Sequence, residues 1–347
     1  MNYQIGMVRS FCEAIWEAAG LTHEDARICV DVLLAGDIRG QRTHGTTHMK
    51  DYVERLLMGT TTNGTEIEME LTAPSALVVD AKYSVGMVAG TKIMRKCIDQ
   101  ARTSGACFAS VRHGNHYGLG AYYPMMAAKE NMIGFSIANT SPIVAPFGGA
   151  EPVLGTNPLS VAVPAGRYPD LVLDIATSTV AKGRLSIARK EGKPIPPGWA
   201  LDSGGRPTTD PAAAEDGGTL LPFGAHKGYG IMLVISLLSC ALSGADMDWK
   251  LPFFFSEKEK RSNTGYFMGC IDISKYSDVE TFKARVDAMF DQLKLCRLSA
   301  GSKGVLIPGE IEYGMAQHAE QDGIFLSEAT LKDFADMADQ FHIEYPF

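Results

Sequence analysis

The sequence predicts an α/β protein whose strand-and-helix core is flanked by helices from both ends of the chain. Three observations carry this. Through the first sixty positions apolar residues recur at helical spacing, without strand-like alternation. From about Ser75 short apolar runs alternate with longer amphipathic segments, the pattern of interleaved strands and helices. The last third returns to helical periodicity. At 347 residues the chain has room for about two domains, and a chain of this size buries roughly three quarters of its unfolded surface.

Val8, Phe11, Cys12, Ile15, Trp16 and Ala19 fall on one stripe of a first helix that Gly20 is placed to end. Thr22 with Asp25 three residues on resembles a capping box, opening a second helix through Leu34. A third helix is expected from about Thr47 to Met58, with Met49, Tyr52, Val53, Leu56 and Leu57 as its apolar face and Gly59 as its stop. Leu77–Val79 then reads as a strand, Val85–Arg102 as a helix and Cys107–Val111 as a strand. Leu119–Lys129 follows as a helix, and Met132–Ala138, Leu159–Val163 and Leu171–Ile175 as strands. Pro194, Pro196, Pro197 and the stretch from Gly204 to Pro211 predict a long surface loop. An apolar helix follows Lys227, Tyr266–Ile273 is expected to be a strand, and Val279–Leu295 and Glu328–Phe341 helices.

A hydrophobic content of 46% beside 21% charged residues is ordinary for a soluble globular protein. The net charge of −8, without any run of Lys and Arg, argues against nucleic acid or an anionic membrane as partner and favours a small molecule. No signal peptide is evident at the N-terminus, and the longest apolar run, Ile231 to Leu242, is well short of the ~20 residues that span a bilayer. The seven cysteines are odd in number, scattered and without a Cys-x-x-Cys pair, which suits small core side chains in a reducing, cytoplasmic compartment.

The chemistry concentrates at Arg112-His113-Gly114-Asn115-His116-Tyr117-Gly118-Leu119-Gly120, a strand-to-helix junction that puts titratable groups where backbone can approach a ligand closely. Thr43-His44-Gly45 stands just before the third helix, where free N–H groups suit a carboxylate and an imidazole can exchange a proton with an alcohol or carbonyl. Between residues 139 and 178 four turns bounded by glycine, proline or small hydroxyl residues follow successive strands. They are Asn139–Pro142, Pro146–Ala150, Gly155–Pro158 and Asp174–Ser178, and together they suggest one crevice for a phosphate or ribose. His226-Lys227-Gly228-Tyr229-Gly230 places a cation at another helix start. There is no Gly-x-Gly-x-x-Gly and no Walker loop. The spacings His44/His48 and His113/His116 leave a metal-dependent hydrolase as an alternative, although no cysteine or carboxylate falls at ligand spacing beside them.

Seven motifs in order resemble the type-2 malate/L-lactate dehydrogenase family. They are Asp37-Ile38-Arg39-Gly40 leading to Thr43-His44-Gly45, the block from His113 to Gly120, Pro146-Phe147-Gly148-Gly149, Gly155-Thr156-Asn157-Pro158, Leu173 to Ser178, His226 to Gly230, and Pro308-Gly309-Glu310. The resemblance covers nearly the whole chain. It implies a non-Rossmann fold with a mixed sheet, a smaller mainly helical domain built from both chain ends (residues 1–72 plus 279–347) beside an α/β cofactor-binding domain of residues 73–278, and a homodimer. It implies metal-independent hydride transfer between NAD, or NADP, and C2 of a small 2-hydroxy or 2-keto acid such as malate or lactate. A reductase of cyclic imino acids is the alternative within the family. His116 and His44 match the proton-transfer positions, with Thr43, His48 and Asn157 expected at the substrate. Thr140, Asp174, Ile175, Ala176, Thr177, Ser178, His226, Lys227, Gly309 and Glu310 match positions around the cofactor. Two departures stand out: Thr43 where serine is usual, and His48 where an arginine is common, which exchanges a bidentate guanidinium for an imidazole.

Overall fold

In the computed structural model, which describes residues 2–347, the chain runs through β1 (Asn2–Tyr3), α1 (Ile5–Ala18), α2 (His23–Ile38), α3 (Met49–Leu57), β2 (Glu68–Ala73), β3 (Ala76–Asp80), α4 (Gly86–Ser104), β4 (Ala106–Gly114) and α5 (Tyr122–Lys129). Next come β5 (Met132–Ala138), β6 (Leu159–Val163), β7 (Leu171–Ile175), α6 (Lys182–Glu191), β8 (Ala200–Leu201), β9 (Pro207–Thr208), α7 (Pro211–Glu215) and β10 (Thr219–Leu220). The remainder is α8 (His226–Ser236), β11 (Thr264–Asp272), α9 (Val279–Lys294), α10 (Glu310–Asp322), β12 (Ile324–Phe325) and α11 (Glu328–Phe341). Among the described residues no helix is long and apolar enough to cross a membrane.

The opening helices form where their apolar spacing puts them. The α1 stripe Val8, Phe11, Cys12, Ile15 and Trp16 is fully withdrawn from water, and Gly20 ends the segment at φ +106°. The Thr22 hydroxyl accepts the Asp25 N–H at 3.2 Å, a cap of the kind that contributes about 1 kcal/mol. Helix α2 runs past Leu34 to Ile38, and a β-carbon on its Gly36 would lie 2.7 Å from the carbonyl oxygen of His44. The His44 turn therefore rests directly on α2. The C-terminal α11 packs Phe334, Met337 and Ala338 into the same apolar cluster as α1, and β1 pairs with β12, so both chain ends meet in one helical layer.

The sheet is mixed, in the order β2-β3-β4-β11-β5-β6-β7. Only β3 and β4 are parallel, joined by α4, as a parallel pair requires a crossover. Along β4 burial alternates, with Cys107, Ala109 and Val111 facing the cluster formed with α4 and α5. On the other face Phe108, Phe135 and Phe267 stand in a row, partly roofed by α8.

The expected boundary at residues 72/73 runs through the β2–β3 hairpin, which belongs to the sheet. Helix α9 likewise packs Phe290 against Ala165 and Ile307 beside β7, away from the helical layer. Strand β2 and helices α6 and α10 are absent from the sequence-based expectation, for one reason. β2 is an exposed edge strand, α6 buries only Leu185 and α10 only Ala319, so none carries an apolar stripe to read. The expected loop around residues 194–211 does contain the prolines, but it folds β8, β9 and β10 into a small antiparallel sheet.

Candidate active site

Strand β4 ends at Gly114, and the chain turns across the start of α4. Glycine is required there, since a β-carbon on Gly86 would lie 2.4 Å from the carbonyl oxygen of His116. The Asn115 amide donates to the carbonyls of Tyr83 and Ser84, and the Tyr266 hydroxyl donates to the Asn115 carbonyl. This fixes the backbone on which His116 stands. The other histidine of the motif goes elsewhere: His113 lies within β4 at φ +53° and its Nδ1 meets Asp80 at 2.8 Å.

His44 arrives from the other side, on a single helical turn at Arg42–His44 between α2 and α3. Asp37, near the end of α2, accepts the Thr46 N–H at 2.9 Å and holds that turn down. Burial pushes the Asp37 carboxyl up to about 6, the Thr46 hydrogen bond and the Arg42 charge only partly opposing it. The His44 and His116 rings are nearly parallel, with centroids 5.9 Å apart and planes inclined by 18°. Both line a cavity of about 570 Å³, a size typical of small-ligand sites.

Helix α3 supplies what holds His116. The Tyr52 hydroxyl sits 2.6 Å from its Nδ1, and the Gly118 N–H donates to the same nitrogen at 3.3 Å. That occupies Nδ1 and leaves Nε2 without a protein partner among the described residues. A hydroxyl can donate or accept, so Tyr52 can hold either tautomer, whereas the Gly118 contact is made only while Nδ1 is unprotonated. Burial drives the His116 imidazole well below its ordinary value, with His44 and His48 adding to the effect, and burial with His48 lowers His44 to about 4. Both rings are neutral at physiological pH.

One turn along α3, the wholly buried Arg55 donates to the carbonyls of Phe254 and Glu257 at 3.1 and 3.2 Å and of Lys260 at 2.6 Å, with its guanidinium 4.2 Å over the Phe254 ring. It braces the loop whose Phe254 and Phe255 pack on His116 at 5.5 and 5.1 Å. Tyr52 and Arg55 escaped the sequence reading because one passes for a core aromatic and the other for a solvated charge.

His48 lies one layer back. It stacks on Phe255 at 4.1 Å, pairs through Nδ1 with Asp51 at 2.9 Å, and lines an adjoining cavity of about 390 Å³ rather than the one that holds the imidazole pair. Thr43 lines both cavities, its hydroxyl 3.1 Å from Nδ1 of His44. The expectation that Asn157 touches substrate is corrected. Its side chain is fully buried, accepting the Thr140 N–H at 3.1 Å and donating to Ser236 and Asp248 at 2.7 and 2.8 Å. Asp248 also accepts the Gly155 N–H at 3.1 Å, so the pair staples two of the strand-end turns from behind. With His113 and His48 each paired to an aspartate, the four histidines do not converge, and among the described residues no group of three His, Cys, Asp or Glu could hold a metal.

The residues expected at a cofactor divide in two. Thr140, Asp174, Ile175 and Ala176 line the cavity, which continues past Gln41 and Asp174 into an arm of about 320 Å³ reaching Gly309. Burial raises the Asp174 carboxyl, which accepts from Ser160 at 2.6 Å. Thr177 and Ser178 sit behind the wall, their hydroxyls spent on the carbonyls of Thr156, Asn157 and Val180. Glu310 is bound to Lys294 and the Ile307 N–H, outside the groove. His226 packs edge-on against Phe147, and Lys227 lines a separate groove under α8. A groove lined by the hydroxyl residues Thr140, Ser141 and Thr156 together with apolar residues such as Ile143 and Ile175 suits a flat ring attached to ribose and phosphate.

Two cavity-facing imidazoles beside a groove lined by small hydroxyls suit an enzyme that moves protons on a small bound substrate, and comparison with known proteins makes this chain a nicotinamide-dependent dehydrogenase of 2-hydroxy acids. The family model described as malate/L-lactate dehydrogenase matches residues 4–335, and the chain belongs to that family. It is 36% identical to the malate/(S)-sulfolactate dehydrogenase of Methanothermus fervidus over 97% of each chain. It is 32% identical to the ureidoglycolate dehydrogenase (NAD(+)) of Escherichia coli, over 88% of this chain and 87% of that one. The solved sulfolactate dehydrogenase of Methanocaldococcus jannaschii superposes with a TM-score of 0.94 at 32% identity, covering 99% of this chain and 98% of that one.

Proposed function

We propose that His116 exchanges the proton of the C2 oxygen in a 2-hydroxy acid of the malate or lactate type, with His44 holding that oxygen from the other side. The carrying observation is the pair of cavity-facing imidazoles at 5.9 Å, one of them clamped at Nδ1 by Tyr52 at 2.6 Å with its Nε2 free. In the oxidation direction His116 acts as the tautomer protonated at Nδ1, which donates to the Tyr52 oxygen in place of the 3.3 Å contact with the Gly118 N–H, and Nε2 takes the hydroxyl proton. Phe254 and Phe255 exclude water from the imidazole. Thr43 steadies the His44 ring. When bound, the dinucleotide supplies the hydride acceptor, held along Thr140 and Asp174 to Ala176, with Gly309 at the far arm. A panel of 2-keto acids mixed with NADH or NADPH tests the assignment: oxidation of the nicotinamide by at least one acid is expected, and none across a broad panel would refute it.

We further infer a cytoplasmic homodimer. The seven unpaired cysteines fit a reducing compartment. On α8 and just beyond it, Ile231, Val234 and Leu237 are 40%, 54% and 51% exposed above a groove of about 670 Å³ walled by Phe108, Phe135 and Phe267. An apolar face of this kind on a soluble protein marks an interface, and a second copy can cover it symmetrically. Sedimentation is expected to give twice the chain mass of 37.4 kDa, and Val234→Glu a monomer. A wild-type monomer at micromolar concentration would overturn it.

A further inference from the structure

The substrate of this reaction is an anion, and the cavity offers little positive charge to meet it. The two imidazoles are neutral at physiological pH. Among the residues that line the cavity, Lys182 is the one lysine or arginine. Arg39 lines only the adjoining arm, where its charge faces Glu312 and Asp174. Arg55 is spent on three backbone carbonyls.

Lys182 begins α6, and no acidic residue stands in the first turn of that helix. Among the described residues its ammonium has no carboxylate within ion-pair distance. It sits instead 5.2 Å from the centroid of the Phe253 ring. Lys182 and Phe253 both line the cavity that holds His44 and His116, and Lys182 is exposed, so the ammonium stands at the cavity rim. A cation resting on an aromatic face keeps its remaining hydrogens free for an incoming anion.

We propose that Lys182 is a specificity-determining residue that binds the second anionic group, a carboxylate or sulfonate on C3, of a 2-hydroxy acid carrying two negative charges. The proposal rests on the reaction class and deepens the reading above by naming the substrate class. The C1 carboxylate is bonded to the reacting carbon and must lie beside the imidazoles. A charge at the rim, on a flexible four-carbon stem, suits the group further out. An ammonium is a point charge without the fork geometry of a guanidinium, so it accepts either a carboxylate or a sulfonate.

The test compares wild type with Lys182→Met and Lys182→Arg on malate and on lactate, measuring kcat/KM for each acid and KM for the cofactor. Lys182 is exposed, so both variants are expected to fold. For malate, Lys182→Met is expected to lower kcat/KM about 30-fold, mostly through KM, the range for losing a charged hydrogen bond. For lactate the change is expected to stay within about threefold, and Lys182→Arg recovers most of the malate activity. Equal losses on both acids would overturn the proposal, since the lysine would then serve the shared carboxylate. A raised cofactor KM would overturn it in favour of a cofactor phosphate, and unchanged kinetics would make Lys182 a solvated charge. Binding of citramalate, a tertiary alcohol that cannot be oxidised at C2, against 2-hydroxyisobutyrate to the NADH complex, followed by nicotinamide fluorescence, reads the same preference without turnover. A wild-type enzyme that prefers citramalate, loses that preference on Lys182→Met and yet turns over no acid would sink the dehydrogenase reading while keeping this one.

Discussion

Replacing His116 with glutamine is expected to lower kcat by about 10³-fold, the size of a lost general acid–base group, while the dissociation constant for NADH changes little. Glutamine keeps a polar group in the same pocket but cannot take up and release a proton near neutrality. The cofactor groove is walled chiefly by other residues, so affinity and turnover separate. Tyr52→Phe is the companion variant. It removes the hydroxyl at 2.6 Å from Nδ1 and is expected to cost less in rate while changing the pH profile, because the ring loses its partner in the charged state. The wild-type profile for oxidation follows from the depressed imidazoles. A base whose value is lowered stays unprotonated further into acid, so oxidation is expected to persist through pH 6.5 and to fall only well below it, as the depressed His116 takes up a proton. A single acid limb near 6.5 in wild type, or a His116→Gln enzyme with normal turnover, would transfer the proton role to another group.

Arg55→Met is expected to destabilise the fold by about 3 kcal/mol, the upper end of the range for hydrogen bonds to a charged group. The cause is specific. The guanidinium donates to the carbonyls of Phe254, Glu257 and Lys260, and methionine leaves all three without their donor. Methionine fills much of the space, so little of the loss is cavity formation. Denaturant unfolding reads the effect as a lowered midpoint with unchanged slope. Arg55→Lys retains the charge but cannot direct donors along three separate lines, and it is expected to fall between the two. Because the same carbonyls anchor the loop that places Phe254 and Phe255 on His116, kcat is expected to drop even where the protein remains folded. A midpoint within experimental error of wild type for Arg55→Met would show that the loop is held by other contacts.

The two predictions concern residues of very different visibility. His116 announces itself, since two histidines among glycines at a strand end have few uses in a packed core. The pairing with His44 was also legible, through motifs recognised in order along the chain. Arg55 was not. An arginine four residues before a helix-ending glycine reads as a solvated charge, and only the fold shows a loop from two hundred residues on wrapping round it. Asn157 erred in the opposite direction. A polar residue in a glycine-bounded turn suits a ligand or an internal staple equally well, and its contacts with Ser236 and Asp248 decide for the staple. His48 was judged by its spacing from His44, but Phe255 intervenes between it and the cavity.

The elements with a buried face were set by local pattern: the α1 stripe, the Thr22 cap and the alternation along β4 each follow the period their burial demands, whereas the apolar run along α8 and just beyond it leaves Ile231, Val234 and Leu237 exposed. Elements that bury little, such as β2, α6 and α10, left no such trace. The types of chemical group available, imidazoles and small hydroxyls on flexible backbone, could likewise be read from the chain alone. Which of them face the same space was settled by long-range packing: α3 against the 252–262 loop, the His44 turn against α2, and β11 inserted between β4 and β5. The physical reason is that periodicity reports whether a side chain is buried, whereas function depends on what it is buried against, and that partner sits far away along the chain.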